Sequence, residues 1–249
     1  MKVVAIVQAR MNSSRLPGKV LLPLCGRPVL YHIYDRLSQC RLIDSIVFST
    51  SHEDTDNPIF EFCNLEDIPI FRGSLNDVLD RFYKTANEHT ADVIVRITGD
   101  CPVVDPVIVD AVITGFLAGD YDCYGLGGEF PDGLDCTAFS FQAIEKAWKE
   151  AKLPSEREHV GPYIEKNPKI FKNGSLKIFS GMETYRWTLD EPKDYNFLSK
   201  IFDELYISEE TFYSKDILQL LKRRPELQKI NSSIIRNEGY LKSLIKENQ

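Results

Sequence analysis

The sequence predicts an α/β protein with a mostly parallel central sheet, flanked by helices and carrying a small β insertion. Three observations carry that expectation. Short apolar runs at residues 3–7, 45–50, 68–71 and 92–97 have the length of strands and little alternation, as strands buried on both faces do. Segments with apolar residues at helical spacing separate them, which gives βαβ units. From Asp120 the rhythm changes: glycines crowd residues 125–133, and a strand-like run follows at 136–141.

The helices follow in order. Residues 28–40 place Leu30, Ile33, Tyr34 and Leu37 on one face, and residues 56–66 carry Ile59, Phe60, Cys63 and Leu65 at a helical rhythm. Arg72-Gly73-Ser74 then turns the chain into a helix with Asn76 as its capping candidate and Val78, Leu79 and Phe82 inward. Further helices are expected at 107–117 and 141–151. Another opens at Ser155, where Ser155-Glu156-Arg157-Glu158 fits a capping box. Residues 175–179 and 185–189 read as paired strands around Gly181, and from Pro192 the chain is mostly helical, with a break at Pro225.

The whole chain limits the function. Its 249 residues are enough for one large core, and 43% hydrophobic with 27% charged residues is a globular composition. A net charge of −7 argues against general nucleic-acid or membrane-surface binding, so an anionic ligand needs a local basic pocket. No apolar run approaches a membrane span and no signal-peptide pattern precedes the first strand, which makes a cytoplasmic protein the expectation. The six cysteines show no CxxC pair and no metal-finger spacing, and reduced, mostly buried thiols are expected.

The chain is organised around residues 8–19, Gln8-Ala9-Arg10-Met11-Asn12-Ser13-Ser14-Arg15-Leu16-Pro17-Gly18-Lys19. This segment leaves the carboxyl end of the first strand, where open α/β sheets hold their ligands. It offers backbone N–H groups, and Arg10, Arg15 and Lys19 add positive charge, which suits a polyphosphate. It is not the GxxxxGK[ST] loop, since Val20 follows Gly18-Lys19. An ordinary solvated basic loop would have the same composition.

Gly99-Asp100-Cys101-Pro102 ends the fourth strand at the same rim. A carboxylate there suits a hard divalent cation shared with phosphate oxygens, although an aspartate at such a turn also serves as a helix cap. Leu189-Asp190-Glu191-Pro192 repeats the arrangement, an apolar run ending in an acid. Two strand-end acids facing a cationic loop describe a nucleotidyl-transfer site with magnesium between them. As rim residues they are expected to leave stability almost unchanged when removed.

Together these motifs resemble the cytidylyltransferases that make CMP-activated acidic sugars, and within them the spore-coat polysaccharide branch. Arg72-Gly73-Ser74 with Asp77-Val78-Leu79-Asp80-Arg81, Pro131-Asp132-Gly133-Leu134-Asp135 and Ser155-Glu156-Arg157-Glu158-His159-Val160 are also similar to that branch. The resemblance covers most of the first 195 residues. It implies a glycosyltransferase-A-like fold, CTP as substrate, Mg²⁺ and pyrophosphate release. It further implies nucleotide binding by Gln8, Ala9, Arg10, Ser14, Arg15, Lys19, Arg72, Gly73 and Asp100. Arg15, Lys19 and Asp100 would carry the catalysis, and Asp100 and Asp190 would hold the metal. The acidic-sugar enzymes usually begin with Ile-Pro-Ala-Arg where this chain has Val7-Gln8-Ala9-Arg10, a departure that bears on the acceptor.

Asp132, Asp135, Glu158 and His159 fall in the segment that breaks the βαβ rhythm and are the expected acceptor-binding residues. A polar hairpin turn and a structural histidine are the plainer readings of the same residues. His32, His52 and His89 read as structural or solvated. The expected organisation is one domain over 1–249. Residues 1–119 form its nucleotide-binding half, 120–195 an acceptor-side and metal-completing half, and 196–249 a helical C-terminal region. The expected partners are CTP and a small-molecule acceptor for surface polysaccharide, without nucleic acid or membrane; a homodimer is compatible with the sequence. GTP or another NTP on the same fold, or a nucleotide-sugar-dependent glycosyltransferase, are the alternatives.

Overall fold

The first strand, β1 (Val3–Gln8), belongs at the centre of the sheet because little of it can face water: five of its six residues are buried. Val3, Ala5 and Val7 enter one hydrophobic cluster and Val4 and Ile6 the other, so alternate residues feed opposite faces. The computed structural model describes residues 1–207, 210–236, 238, 243 and 247.

A short ribbon of β2 (Pro23–Leu24) and β3 (Arg27–Pro28) leads into α1 (Val29–Leu37). Then come β4 (Ser45–Ser51), α2 (Asn57–Leu65), β5 (Ile70–Gly73), α3 (Val78–Glu88), β6 (Val93–Thr98) and α4 (Pro106–Gly119). The second half adds β7 (Cys123–Leu126), β8 (Thr137–Ser140), α5 (Phe141–Glu150), α6 (Pro154–His159), α7 (Pro162–Lys166), β9 (Asn173–Leu176), α8 (Pro192–Leu205) and α9 (Ser214–Arg223). The main sheet has the order β5-β4-β1-β6-β8-β7-β9. β5, β4, β1 and β6 are parallel, and β8 alone runs against its neighbours, which makes the sheet mixed but mostly parallel, as expected. Helices α1, α2, α4, α8 and α9 cover one face, while α3, α5 and α7 cover the other.

Three local expectations are corrected. Helix α3 is capped by Asp77 rather than Asn76: the Asp77 side chain accepts the Asp80 N–H at 2.9 Å, because helical backbone begins at Val78. Helix α6 begins at Pro154, and the acid that reaches back is Glu156, which takes the N–H groups of Lys152 and Leu153 at 3.2 Å each. Residues 185–189 do not pair with the neighbouring strand. β9 instead joins β7 in parallel. The 185–189 segment is held by the 131–133 turn and the Asp100 loop, with Trp187 N–H on Asp132 O at 2.6 Å and Leu189 N–H on Asp100 O at 2.8 Å. That difference builds the site.

All six cysteines are free thiols, and five are buried. Among the described residues no helix is long and apolar enough to cross a membrane. The expected helical region 196–249 is seen as α8 and α9, and its last part lies mostly outside the described residues.

Candidate active site

The loop after β1 closes on one carbonyl. Met11 O accepts the N–H groups of Ser13 and Gly18, both at 2.9 Å. Gly18 lies in the left-handed region at φ 72°, which a side chain would strain, and this turn sends Lys19 back under the loop. Asp56 fixes the loop from below. Fully buried, it accepts Met11 N–H at 2.7 Å, the Thr50 hydroxyl at 3.0 Å, Ser51 N–H at 3.1 Å and the Ser51 hydroxyl. Within the loop's own hydrogen bonds the Ser14 and Arg15 N–H groups take no described acceptor, and both residues line the cleft.

Asp100 reaches the same point because Gly99 lets two strand ends touch. Its N–H donates to Gln8 O at 2.8 Å, and a Cβ there would lie 2.9 Å from that oxygen. The Lys19 ammonium then sits 2.7 Å from Asp100 Oδ2 and 2.7 Å from Asp190 Oδ1. Burial alone would raise the Asp100 pKa, but Lys19 outweighs it and holds the carboxyl at about 2. Burial alone would lower Lys19, and the two carboxylates outweigh that in turn and hold it above its ordinary value.

Asp190 is positioned by Arg186, a guanidinium buried among acids. Arg186 donates to Asp194 through Nε and Nη2 at 2.9 Å each, to Asp132 at 2.8 Å and to Asp190 at 3.1 Å. Burial works against its charge, yet these acids raise its pKa. One charge divided among three acids leaves Asp132 weakly compensated. Burial and the nearby Asp135 push the Asp132 carboxyl up to about 7, against the pull of Arg186 and Arg236. The expectation that the two rim acids lack a buried partner is therefore corrected: both serve the same buried lysine.

Arg15 closes the cation side, 2.9 Å from Asp190 and 2.6 Å from Glu238. Across the cleft, Arg10 faces Glu158 at 3.9 Å, and Asp135 accepts Gly133 N–H at 3.0 Å. His159 Nε2 lies 3.1 Å from the Ser243 hydroxyl. Burial lowers its pKa, with Arg96 and Arg10 pushing the same way against the raising effect of Glu158 and Glu247. A neutral imidazole at pH 7 follows. The cleft of about 360 Å³ is lined by Gln8, Ala9, Arg10, Ser14, Arg15, Lys19, Asp100, Asp132, Asp135, Glu158, His159 and Asp190.

Arg72 and Gly73 stand apart from that lining. The Arg72 guanidinium donates to Ser51 O at 2.8 Å and Glu53 O at 2.9 Å, bracing the turn after β4. Arg96, Arg186 and Asp56 are the residues of this site that no sequence motif marks. Arg96 and Arg186 carried a legible signal, since each interrupts a short run of residues that are otherwise mostly apolar or aromatic.

A model of the family described as cytidylyltransferase matches residues 4–226. The chain belongs to the cytidylyltransferase family. Its likeness to the spore coat polysaccharide biosynthesis protein SpsF of Bacillus subtilis is 31% identity over 238 residues, 90% of this chain and 95% of that protein. A cytidylyltransferase structure from Leptospira borgpetersenii superposes with a TM-score of 0.88 at 32% identity, covering 95% of this chain and all of that one. A shorter match, 30% over 118 residues, joins 47% of this chain to 46% of the 3-deoxy-manno-octulosonate cytidylyltransferase of Geobacter metallireducens. This cytidylyltransferase is thus a CTP-dependent nucleotidyltransferase that releases pyrophosphate, with the α/β architecture expected from its sequence. GTP and glycosyltransferase chemistry are no longer the readings to prefer.

Proposed function

We propose that this cytidylyltransferase transfers CMP from CTP to a hydroxyl of an acidic sugar destined for surface polysaccharide, with Asp100 and Asp190 holding Mg²⁺. The observation that carries the proposal is the Lys19 ammonium between the two carboxylates, 2.7 Å from each. Two hard oxygens already converge on one positive charge, and that donor set fits magnesium, which takes one or two carboxylates and fills its other positions with water and phosphate. Among the described residues no cluster of three or more His, Cys, Asp or Glu forms, and the reading rests on these two carboxylates alone. When bound, the ion would neutralise charge developing on the phosphoryl oxygens.

The chain's own residues do the rest. The Ser14 and Arg15 N–H groups and the Arg15 guanidinium grip the β- and γ-phosphates, with Ala9 and Arg10 along the nucleotide side. Lys19, drawn from its two acids by the α-phosphate, stabilises the charge that grows as pyrophosphate leaves. Asp132, locked to Arg186, braces the acceptor wall, while Asp135 and Glu158 accept sugar hydroxyls. The neutral His159 serves as a hydrogen-bonding partner, and the positive charge on that side comes from Arg10 and Arg96. The acidic acceptor is supported by the names of the relatives and by these cations.

Pyrophosphate release with each of the four NTPs, across sugar acids that include 3-deoxy-manno-octulosonate, tests the proposal. CTP with at least one acid should exceed the other nucleotides by an order of magnitude or more, and magnesium should be required. Equal release with neutral sugars would refute the acidic acceptor.

A further inference from the structure

The other buried arginines direct nitrogens to partners inside the fold, although Arg36 Nη2 and Arg81 Nε stay sealed without one. Arg36 donates to Phe212 O at 2.7 Å and lies over the Phe212 ring, Arg81 donates to Ser74 O and Leu75 O, and Arg186 holds three acids. Arg96 differs. Among the described residues it makes one hydrogen bond, from Nε to Gln8 Oε1 at 3.2 Å, and no carboxylate comes within ion-pair distance. Burial pushes its pKa down, and Asp135, Glu165 and Asp100 only draw it back from farther away. Its terminal N–H groups are not sealed in the core, because the residue is partly exposed and lines the cleft. A guanidinium partly withdrawn from water without a counter-ion is costly unless a ligand supplies the charge.

Its place says which ligand. Arg96 stands on β6 opposite Thr137 of β8, on the flank of the cleft that holds Asp135 and His159. The triphosphate cations, Arg15 and Lys19, gather instead at the Asp190 flank. Gln8 Oε1 takes Nε and leaves the two terminal nitrogens as a planar fork, the shape that matches a carboxylate.

We propose that Arg96, oriented by Gln8, binds the carboxylate of the acceptor and thereby sets this enzyme's preference for acids. Gln8 is a positioning residue in this account, acting through Arg96. The inference rests on the reading of the site as a cytidylyltransferase for acidic sugars.

The test is a titration of the ternary complex. Wild type, R96Q, R96K and Q8A, loaded with magnesium and the α,β-methylene analogue of CTP, are titrated with 2-keto-3-deoxy sugar acids and with the C1 amide of each. Wild type should bind at least one acid on the order of 10- to 100-fold more tightly than its amide, the worth of a charged hydrogen-bonded pair. R96Q should lose that margin and R96K should keep part of it, both with unchanged affinity for the CTP analogue, and Q8A should narrow it. Thermal unfolding separates this from a structural role, because R96Q removes an uncompensated charge and should melt no lower than wild type. If acid and amide bind wild type equally, if no acid binds, or if R96Q keeps the margin, the inference falls while the cytidylyltransferase reading stands. If the CTP analogue itself fails to bind wild type, both fall together.

Discussion

Arg186 donates from Nη2 to Asp190 Oδ2 at 3.1 Å, so the acid that meets Lys19 through one oxygen is held from behind through the other. Asp190 therefore has little freedom to turn away from the point where Lys19 sits. The same guanidinium is fixed by Asp194, itself fully buried and bonded to Asn231 Nδ2 at 2.9 Å. A chain of charged hydrogen bonds thus runs from the first turn of α8 to the cleft. Partners of this kind, behind the residues that touch a metal, set its geometry.

Arg186→Met should consequently damage both fold and activity. It would leave Asp132 and Asp194 buried without the cation that binds them, at a cost of about 3–5 kcal/mol. Arg186→Lys should recover some stability but less turnover, because a point charge cannot hold three acids in one plane. Denaturant midpoints read beside kcat would check this, and an R186M protein of wild-type stability would contradict the network.

Lys19→Met tests the paired acids. Without the ammonium, Asp100 loses its cation and faces Asp190, which keeps Arg15 and Arg186, so the variant should melt below wild type. Magnesium should then raise its melting temperature more than that of wild type, because the ion takes the place of the lost charge. CTP turnover should fall by about 10²- to 10³-fold, the usual loss when one donor to a developing charge is removed. A magnesium shift equal to that of wild type would show that the acids do not form the ion site.

Asp100→Ala should nearly abolish turnover and also lower stability by about 1–3 kcal/mol, since Lys19 stays buried with one acid instead of two. Sequence reasoning expected no such loss of stability. The reason is physical: a strand-end acid looks solvated in sequence, and only the fold brings a lysine from 81 residues away to lie against it. What was legible came from local rules. The apolar runs gave the parallel strands, and Gly99-Asp100 and Leu189-Asp190 gave the acids at the rim. What was not legible depended on distant pairings. Residues 185–189 have the composition of a hairpin strand, yet their partners are Asp132 and Asp100. Asp56 looked like a helix-start acid, and its role as the anchor of Met11 appears only when β4 is laid beside β1. Arg96 is marked in the sequence as the one cation inside its apolar run, but its place on the cleft depends on β6 lying between β1 and β8.

Arg15→Lys should weaken CTP binding by about tenfold without changing the fold. The guanidinium now spans Asp190 and Glu238, at 2.9 and 2.6 Å through different nitrogens, and a lysine cannot make both contacts or grip two phosphate oxygens at once. Calorimetry with CTP and magnesium gives the measurement, and wild-type affinity in R15K would remove Arg15 from the triphosphate site.

The last prediction concerns pH and a histidine outside the cleft. His32 is buried, donates from Nε2 to Leu24 O at 2.8 Å and packs against the rings of Phe202 and Tyr206. Burial, aided by Arg36, holds its pKa below 6.5 although Leu24 O and Asp35 pull upward. In the unfolded chain the imidazole titrates near its ordinary value of about 6.5. Between the two pKa values the unfolded chain binds a proton that the folded chain refuses, so acid favours unfolding. The stability tied to neutral His32 is complete above about pH 6.5 and is lost as pH falls through that value toward the folded pKa. His159, lowered in the same direction, adds to the slope. His32→Gln keeps a donor for Leu24 O but cannot titrate. Its unfolding free energy should therefore fall less steeply than that of wild type between pH 7.5 and 5, by up to about 1.4 kcal/mol per pH unit. Parallel curves for the two proteins would mean that His32 is protonated as readily in the fold as outside it.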